Sequence, residues 1–440
     1  MDANIVQIQR QRQGLEPDAR PNRHRVVITG MSAITPVGNT VAETWQSLVA
    51  GHSGATRITL MDASRYPCQI AAELKDFDPE RFIPRKKARH MALATQLAVI
   101  ASGQAIEDAA LDMEQMDRDR IGVIIGTAGG STVEETEQAA KKLWDESSRR
   151  LSPFQILRFW PNMPAYFVSE TYNLRGHNLT VCTACAAATQ AIGEAARVIR
   201  QGEAEVMITG GTESVISETM LAGFTAMRAL ATSFNDNPKH AMRPFARDRE
   251  GFIPAHGCAI LVLERLEHAM ARRARIYAEV LGSGVSNDAY HMIASDPTGN
   301  GAALAIRRAL ADAGVETESV DYINAHAAST LLGDLAETKA IKAIFGNRAY
   351  EIPISSTKSM VGHMMGATGA VEAIACVMTL NERIIHPTIN YEMPDPECDL
   401  DYVPNEAREA RINIALSNSF GLGGQNACLV LGRVTACGGC

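Results

Sequence analysis

The residues best able to do covalent chemistry are two cysteines three apart, Cys182 and Cys185, in the stretch NLTVCTACAAATQAIGEAARVIRQG that runs from Asn178 to Gly202. Cys-x-x-Cys admits a redox dithiol, half of a zinc site, or one working thiol with a bystander. A second pair, Cys437 and Cys440 in TACGGC, closes the sequence, but it is remote and has no following strand to hold it, which argues against a four-thiolate zinc site. A thioredoxin-like pair would open a helix near the start of a small domain. Here Leu179, Val181 and Thr183 alternate with Thr180, Cys182 and Ala184, which puts Cys182 in strand register as a buried small hydrophobe. Cys185 falls where this strand hands over to an alanine-rich helix. A thiol there meets free N–H groups and the positive end of the helix dipole, both of which favour thiolate, and the small neighbours let a substrate approach. Cys185 therefore reads as a nucleophile.

A nucleophile needs partners. His326 in YINAHAASTLLGD and His363 in SSTKSMVGHMMGATGA each stand just past a strand in a small-residue loop, with Lys358 close to the second. The other histidines lack such a setting and read as structural, His256 in GFIPAHGCA among them. In ALSNSFGLGGQNACLVLG a turn holding Phe420, Gly421 and Gly423 lies between two strands, where exposed N–H groups can meet a developing oxyanion.

The elements that must position these groups are strands ending in Gly, Ser or Thr that alternate with helices throughout, the pattern of an α/β protein. The helix after Cys185 and the segment 366–380 are both rich in small residues, and each follows a loop with a reactive side chain. This echo predicts two similar halves, 25–268 with the cysteine and 269–434 with both histidines, joined by the amphipathic LERLEHAMARRA. Residues 1–24 read as a disordered polar extension and 435–440 as a flexible tail. A net charge of −8 and an aromatic share of 5% argue against nucleic acid, and no apolar run long enough to span a membrane occurs. The start lacks a signal core, so a cytoplasmic enzyme with reduced thiols is expected from the nine scattered cysteines. Basic residues gather at Arg85, Lys86 and Arg89, and again at Arg149 and Arg150.

Four motifs, TAC, NAH, STKSMVGH and NSFGLGGQN, together with ATSFNDNPKHAMRPFARDREGF, occur in an order that resembles the β-ketoacyl-acyl carrier protein synthases and their type II polyketide relatives, from Arg25 to Leu431. The resemblance implies a thiolase-like fold, with two similar βαβαβ halves in a five-layer αβαβα stack, dimeric, the active site between the halves. It implies a decarboxylative Claisen condensation with no metal and no cofactor beyond the phosphopantetheine of an acyl carrier protein. Cys185 would carry the acyl chain, and His326 and His363 would donate to the malonyl thioester oxygen beside Lys358. The N–H groups of Cys185 and Phe420 would form a second oxyanion hole, with Phe420 as the gate. The chain has His326-Ala327-Ala328-Ser329-Thr330 where the family usually has His-Gly-Thr-Ser-Thr, so Thr330 keeps one pantetheine-binding hydroxyl and another is missing. His256 replaces a usual acidic residue, a departure pointing toward a specialised polyketide or polyene pathway. Gly129 stands where a branched residue commonly shortens the acyl pocket, and Gln155 where an aromatic residue of the neighbouring subunit closes it, which predicts a deep, polar pocket. Arg85, Lys86, Arg89, Arg149 and Arg150 would dock the acidic carrier. The resemblance leaves open a homodimer or a heterodimer with a chain-length-factor partner. A non-catalytic subunit would lack Cys185, and a thiolase would need a second cysteine in the turn from Gly421 to Gly424, which has none.

Overall fold

A computed structural model describes residues 23–145 and 151–434. The expected extension up to residue 22, the tail with Cys437 and Cys440, and Arg149 and Arg150 lie outside the described residues.

Ten strands form the main sheet. The first half supplies β1 (Val26–Ile34), β2 (Ile121–Gly126), β3 (Asn178–Val181), β4 (Val206–Glu213) and β5 (Gly257–Arg265). The second supplies β6 (Ala278–Asn287), β7 (Tyr322–Asn324), β8 (Ile354–Ser355), β9 (Ile414–Gly421) and β10 (Gln425–Gly432). Their spatial order is β8-β7-β9-β10-β6-β1-β5-β4-β2-β3. Outward from the middle, the first half reads β1, β5, β4, β2, β3 and the second reads β6, β10, β9, β7, β8. The two series match strand for strand. Each begins with two antiparallel pairings and ends with two parallel ones. The echo in the sequence is thus a duplicated topology, and the halves are stitched by a short antiparallel contact, Val27 opposite Glu279 and Ile28 opposite Ala278. The helix Leu266–Ala271 lies between them in the chain.

Helices α1 (Leu93–Asp108) and α2 (Met163–Tyr172) cover the outer face of the first half, and α4 (Asn300–Ala313) and α5 (Leu331–Phe345) that of the second. Between the halves run α3 (Ala187–Arg200) and α6 (Thr368–Glu382), in contact with strands of both. This makes five layers. One apolar cluster fills the centre and one lies under each outer pair. Because helices cover both faces, β1 is buried along its whole length, VVITGMSAI, with no polar alternation.

The central helices are alanine-rich because they must lie close to both halves of the sheet at once. Ala187, Ala188, Ala191, Ala195 and Ala196 of α3 are all buried. Glycines carry the nearest approaches. A Cβ on Gly126 would stand 2.5 Å from the backbone of Ala187, and one on Gly369 would stand 2.0 Å from Thr189 Oγ1.

The strand register expected for Cys182 does not hold. β3 ends at Val181, the chain turns at Thr183, and Cys182 is exposed beyond the strand end with its Sγ 3.5 Å from the Ala128 carbonyl. An alternation read across a strand end extrapolates a pleat that has stopped. All seven cysteines among the described residues are free thiols, so Cys182 and Cys185 are not bonded to each other. Among the described residues no helix is long and apolar enough to cross a membrane.

A Cβ on Gly211 in β4 would lie 2.7 Å from Ala188 Cβ and 2.9 Å from Ala367 Cα, between the two central helices. Gly211→Ala should therefore lower stability by about 1–3 kcal/mol in urea unfolding. Gly223→Ala is the control, because nothing lies within 4 Å of that Cβ in the helix Glu218–Ala226. It should gain about 0.5–1 kcal/mol from helix propensity. Equal midpoints for the two variants would refute the tight-packing account.

Candidate active site

The nucleophile sits on a strained turn. Cys185 lies in the 3-10 turn Ala184–Ala186 that leads into α3, and Ala184 before it has a φ of +48°. A left-handed residue with a Cβ costs about 1–2 kcal/mol. The same signature recurs at Ser329 (φ +63°), three residues after His326, and at Met365 (φ +41°), two residues after His363. Backbone strain held by its surroundings clusters where side chains must be aimed.

The three side chains converge. Cys185 Sγ lies 3.2 Å from His363 Nε2. The rings of His326 and His363 are 5.6 Å apart at 78°, and Phe420 is 5.8 Å from His326. His363 Nδ1 is 3.1 Å from Thr368 Oγ1, whose hydroxyl lies 3.2 Å from the Met365 carbonyl. That carbonyl can only accept, so the Thr368 proton goes to it and Nδ1 donates to Thr368. Nε2 is left as a bare acceptor facing the thiol.

His326 is held by its backbone. Its own N–H and that of Ala327 donate to Glu337 at 2.9 and 2.8 Å, and Asn418 Nδ2 donates to the same carboxylate at 3.2 Å. The residue is half-buried, and its Nδ1, shut off from solvent, has no hydrogen-bond partner among the described residues. A buried polar atom without a partner is costly.

Behind the histidines, Lys358 and Glu372 form a fully buried ion pair. Burial, followed by the Lys358 charge, holds both His326 and His363 well below the usual imidazole range, so both are neutral. Burial pushes the Cys185 thiol up to about 11, against the Lys358 charge and the backbone N–H groups of Leu422 and of Cys185 itself. This reverses the thiolate expected from the helix terminus, because full desolvation outweighs the dipole and the donors. The resting pair is a protonated thiol beside a neutral base. Burial also lifts Glu337 to about 7 against its N–H donors.

A cavity of about 330 Å³ opens over this group. Cys185, His326, His363, Thr330, Phe420 and Gly421 all line it. Lys358, Gly423, Gly129 and Gln155 do not. Lys358 stands behind the histidines. Gly423 serves the turn with a φ of +79°. Gln155 is buried and donates to Glu135 at 2.9 Å, away from the cavity, and nothing lies within 4 Å of a Cβ built on Gly129. Arg85, Lys86 and Arg89 are exposed on and just after the short helix Arg85–Ala88, with Arg85 3.4 Å from Glu80. His256 is buried, accepts the Val215 N–H at 3.1 Å and is held down to about 4 by burial, as a structural histidine is.

Two functional candidates escaped the sequence reading. The backbone N–H beside Cys185 Sγ belongs to Leu422, whereas Phe420 sits in the strand ladder opposite Asn426. The signal was the place of Leu422 between Gly421 and Gly423. A Cβ on Gly421 would stand 3.1 Å from the Cys185 nitrogen, so glycine there brings the next residue over the thiol. Among the described residues, Arg228 is the only Lys or Arg lining the cavity.

Sequence comparison agrees with this arrangement. The family profile "Beta-ketoacyl synthase, N-terminal domain" matches residues 23–269 and "Beta-ketoacyl synthase, C-terminal domain" matches residues 277–392. The chain is 48% identical over 412 residues, covering 93% of it and 98% of the relative, to 3-oxoacyl-[acyl-carrier-protein] synthase 2 of Synechocystis sp.. It is 47% identical to the protein of that name from Staphylococcus aureus, over 94% of this chain and 99% of the other. Among solved structures, a β-ketoacyl synthase from Burkholderia phymatum superposes with a TM-score of 0.87 at 37% identity, covering 94% of this chain and all of that one. The ishigamide ketosynthase/chain length factor gives 0.87 at 36% with the same coverage. A type II polyketide ketosynthase solved with its acyl-carrier protein and bound to the hexaketide gives 0.87 at 33%, again covering 94% of this chain. With profiles spanning both halves and relatives matched nearly end to end, the chain belongs to the β-ketoacyl synthase family.

Proposed function

We propose that this enzyme condenses an acyl group carried on Cys185 with a malonyl thioester, with loss of CO2, both substrates arriving on the phosphopantetheine of an acyl carrier protein in fatty acid or type II polyketide elongation. The observation that carries the reading is the 3.2 Å contact between Cys185 Sγ and a bare His363 Nε2 in one cavity with the unpartnered His326.

In the first half-reaction the Cys185 proton passes to His363 Nε2 and the thiolate adds to the acyl thioester carbonyl. The N–H groups of Cys185 and Leu422 meet the oxyanion. The bond to the pantetheine sulfur breaks, and that thiolate takes the proton back from His363. In the second, the malonyl carboxylate leaves as CO2 and its bonding electrons pass to the thioester oxygen as an enolate. His326 donates to that oxygen. His363 does so from Nε2 once its proton has moved there and the Thr368 hydroxyl has turned to Nδ1. Such preorganised donors are worth ~3 to 4 kcal/mol each. The enolate carbon attacks the Cys185 thioester, the carbon–sulfur bond breaks, and the departing thiolate takes up one proton from solvent. Arg228 and the Thr330 hydroxyl at the cavity wall suit the phosphate and the amides of the pantetheine arm.

A second subunit of the same fold is supported by β3, which has a neighbour on one side only and exposes Leu179, with exposed Tyr166 on the adjoining α2. The mass of the chain alone in solution separates a homodimer from a chain that needs a chain-length-factor partner. A thiolase would make acetoacetyl-CoA from acetyl-CoA alone, and none is expected.

Cys185→Ala should abolish the acyl-enzyme seen by mass spectrometry while the protein still folds, and Cys182→Ala should leave it at the wild-type level. Equal loss in both would end the single-thiol reading. Because the Cys185 pKa stands at about 11, its alkylation by iodoacetamide should speed up about tenfold per pH unit between about pH 7 and 9. A plateau below about pH 8 would contradict this. Charge reversal at Arg85, Lys86 and Arg89 should raise KM for carrier-borne substrates and flatten its salt dependence, with small thioester mimics unaffected. Equal effects on both substrate types would remove the docking role.

A further inference from the structure

We propose that His386 is a positioning residue for the decarboxylation half-reaction, acting through the two strand ends that carry His326 and Lys358. The inference rests on the condensation reading above. His386 follows the short strand Ile384–Ile385, is fully buried and lies outside the cavity wall. Its Nδ1 is 3.1 Å from the Pro387 carbonyl, which can only accept, so Nδ1 carries the proton and Nε2 is a bare acceptor. That acceptor faces Thr357 Oγ1 at 3.0 Å, Asn324 Nδ2 at 3.3 Å, Tyr322 OH at 3.4 Å and Ser355 Oγ at 3.5 Å.

These four groups all belong to β7, β8 and the residues just after β8. Asn324 ends β7 two residues before His326, and Thr357 immediately precedes Lys358. Asn324 Nδ2 donates to Thr357 Oγ1 at 2.9 Å, and the Thr357 hydroxyl is then free to donate to His386 Nε2. Tyr322 OH lies 2.7 Å from Ser355 Oγ, a second tie between β7 and β8. The imidazole is thus the terminal acceptor of a bridge that fixes the end of β7 against the end of β8. Without it the Thr357 hydroxyl loses its acceptor, since its other partner, Asn324 Nδ2, is a donor. Burial keeps the ring neutral, down at about 4, so it remains an acceptor across the working pH range. The bridge touches neither β3 nor the turn that carries Cys185.

This placement predicts a split between the two half-reactions that a general loss of folding would not produce. Three proteins are compared, wild type, His386→Leu and His386→Gln, the last with a side-chain carbonyl that can still accept from Thr357. Acylation of Cys185 by an acyl thioester is followed by mass spectrometry. CO2 release is followed in a single turnover of preloaded acyl-enzyme mixed with a malonyl thioester. His386→Leu should slow CO2 release about tenfold to a hundredfold at saturating malonyl thioester, since small misplacements of aimed groups have effects of that size. Its acylation rate should fall by a clearly smaller factor, because that step uses Cys185 and His363 but not His326, and His386→Gln should recover most of the lost rate. Thr357→Val, which removes the bridging hydroxyl at nearly constant volume, should repeat the pattern and serves in place of His386→Leu if that variant does not fold. An equal fall in both half-reactions, an unchanged rate of CO2 release, or a Gln variant no better than Leu overturns the assignment. A wild-type protein that fails to acylate Cys185 overturns instead the reading on which it rests.

Discussion

The catalytic centre depends on two helices starting side by side between the two halves of the sheet with no side chains to hold them apart. α3 and α6 reach this position because the residues at their starts are almost all alanine, glycine or threonine, and because Gly211 and Gly369 remove the atoms that would collide. Thr189 Oγ1 and Ser419 Oγ, 2.6 Å apart, lock α3 to β9 at the same level. Once the helix starts are fixed, Cys185 and His363, which precede them by a few residues, have little freedom but to meet. The alanine-rich run is therefore a packing requirement first. Access to the thiol is a consequence of it.

The same close packing excludes water, and exclusion of water sets the protonation states. Glu372 stands against the buried Lys358, and removing either partner would leave an uncompensated buried charge. The retained positive charge and the desolvation act in one direction on the histidines and in opposite directions on the thiol. The histidines stay neutral under both influences, whereas the thiol is lowered by Lys358 and raised more by burial. A neutral imidazole can take the thiol proton, as an imidazolium could not. It can also donate to an enolate without trapping it as a neutral enol. The buried pair thus selects the form of histidine that serves both half-reactions.

Much of this was legible in the sequence. Small residues after a strand located α3, two histidines past strand ends located the partners, and the shared loop–helix pattern pointed to two halves. What escaped was of three kinds. Where a strand stops depends on the next residues' turn, so Cys182 was carried one pleat too far. That the N–H of Leu422 lies beside the thiol depends on the close approach of Gly421 to Cys185, which no local window of NSFGLGGQN reports. The sign of the thiol shift depends on total burial, which no local window reports. Gly129 and Gln155 were placed in the acyl pocket by resemblance, and in the single chain neither reaches the cavity.

The matching strand order gives the site a further logic. β3 corresponds to β8 and α3 to α6, so Cys185, between β3 and α3, and His363, between β8 and α6, occupy related places in the two halves. β2 corresponds to β7, and the loop after β2, Thr127-Ala128-Gly129-Gly130, holds the place that His326 holds after β7. One half thus offers a nucleophile with small residues around it, and the other offers two imidazoles in related loops. Neither half has both. A fold that buries related loop pairs face to face can divide a reaction in this way: one copy keeps space for the acyl group while the other gains the groups that handle protons and charge. On this view the junction between β1 and β6 is a functional constraint as much as a structural one, because a slip in its register would move the thiol away from its base.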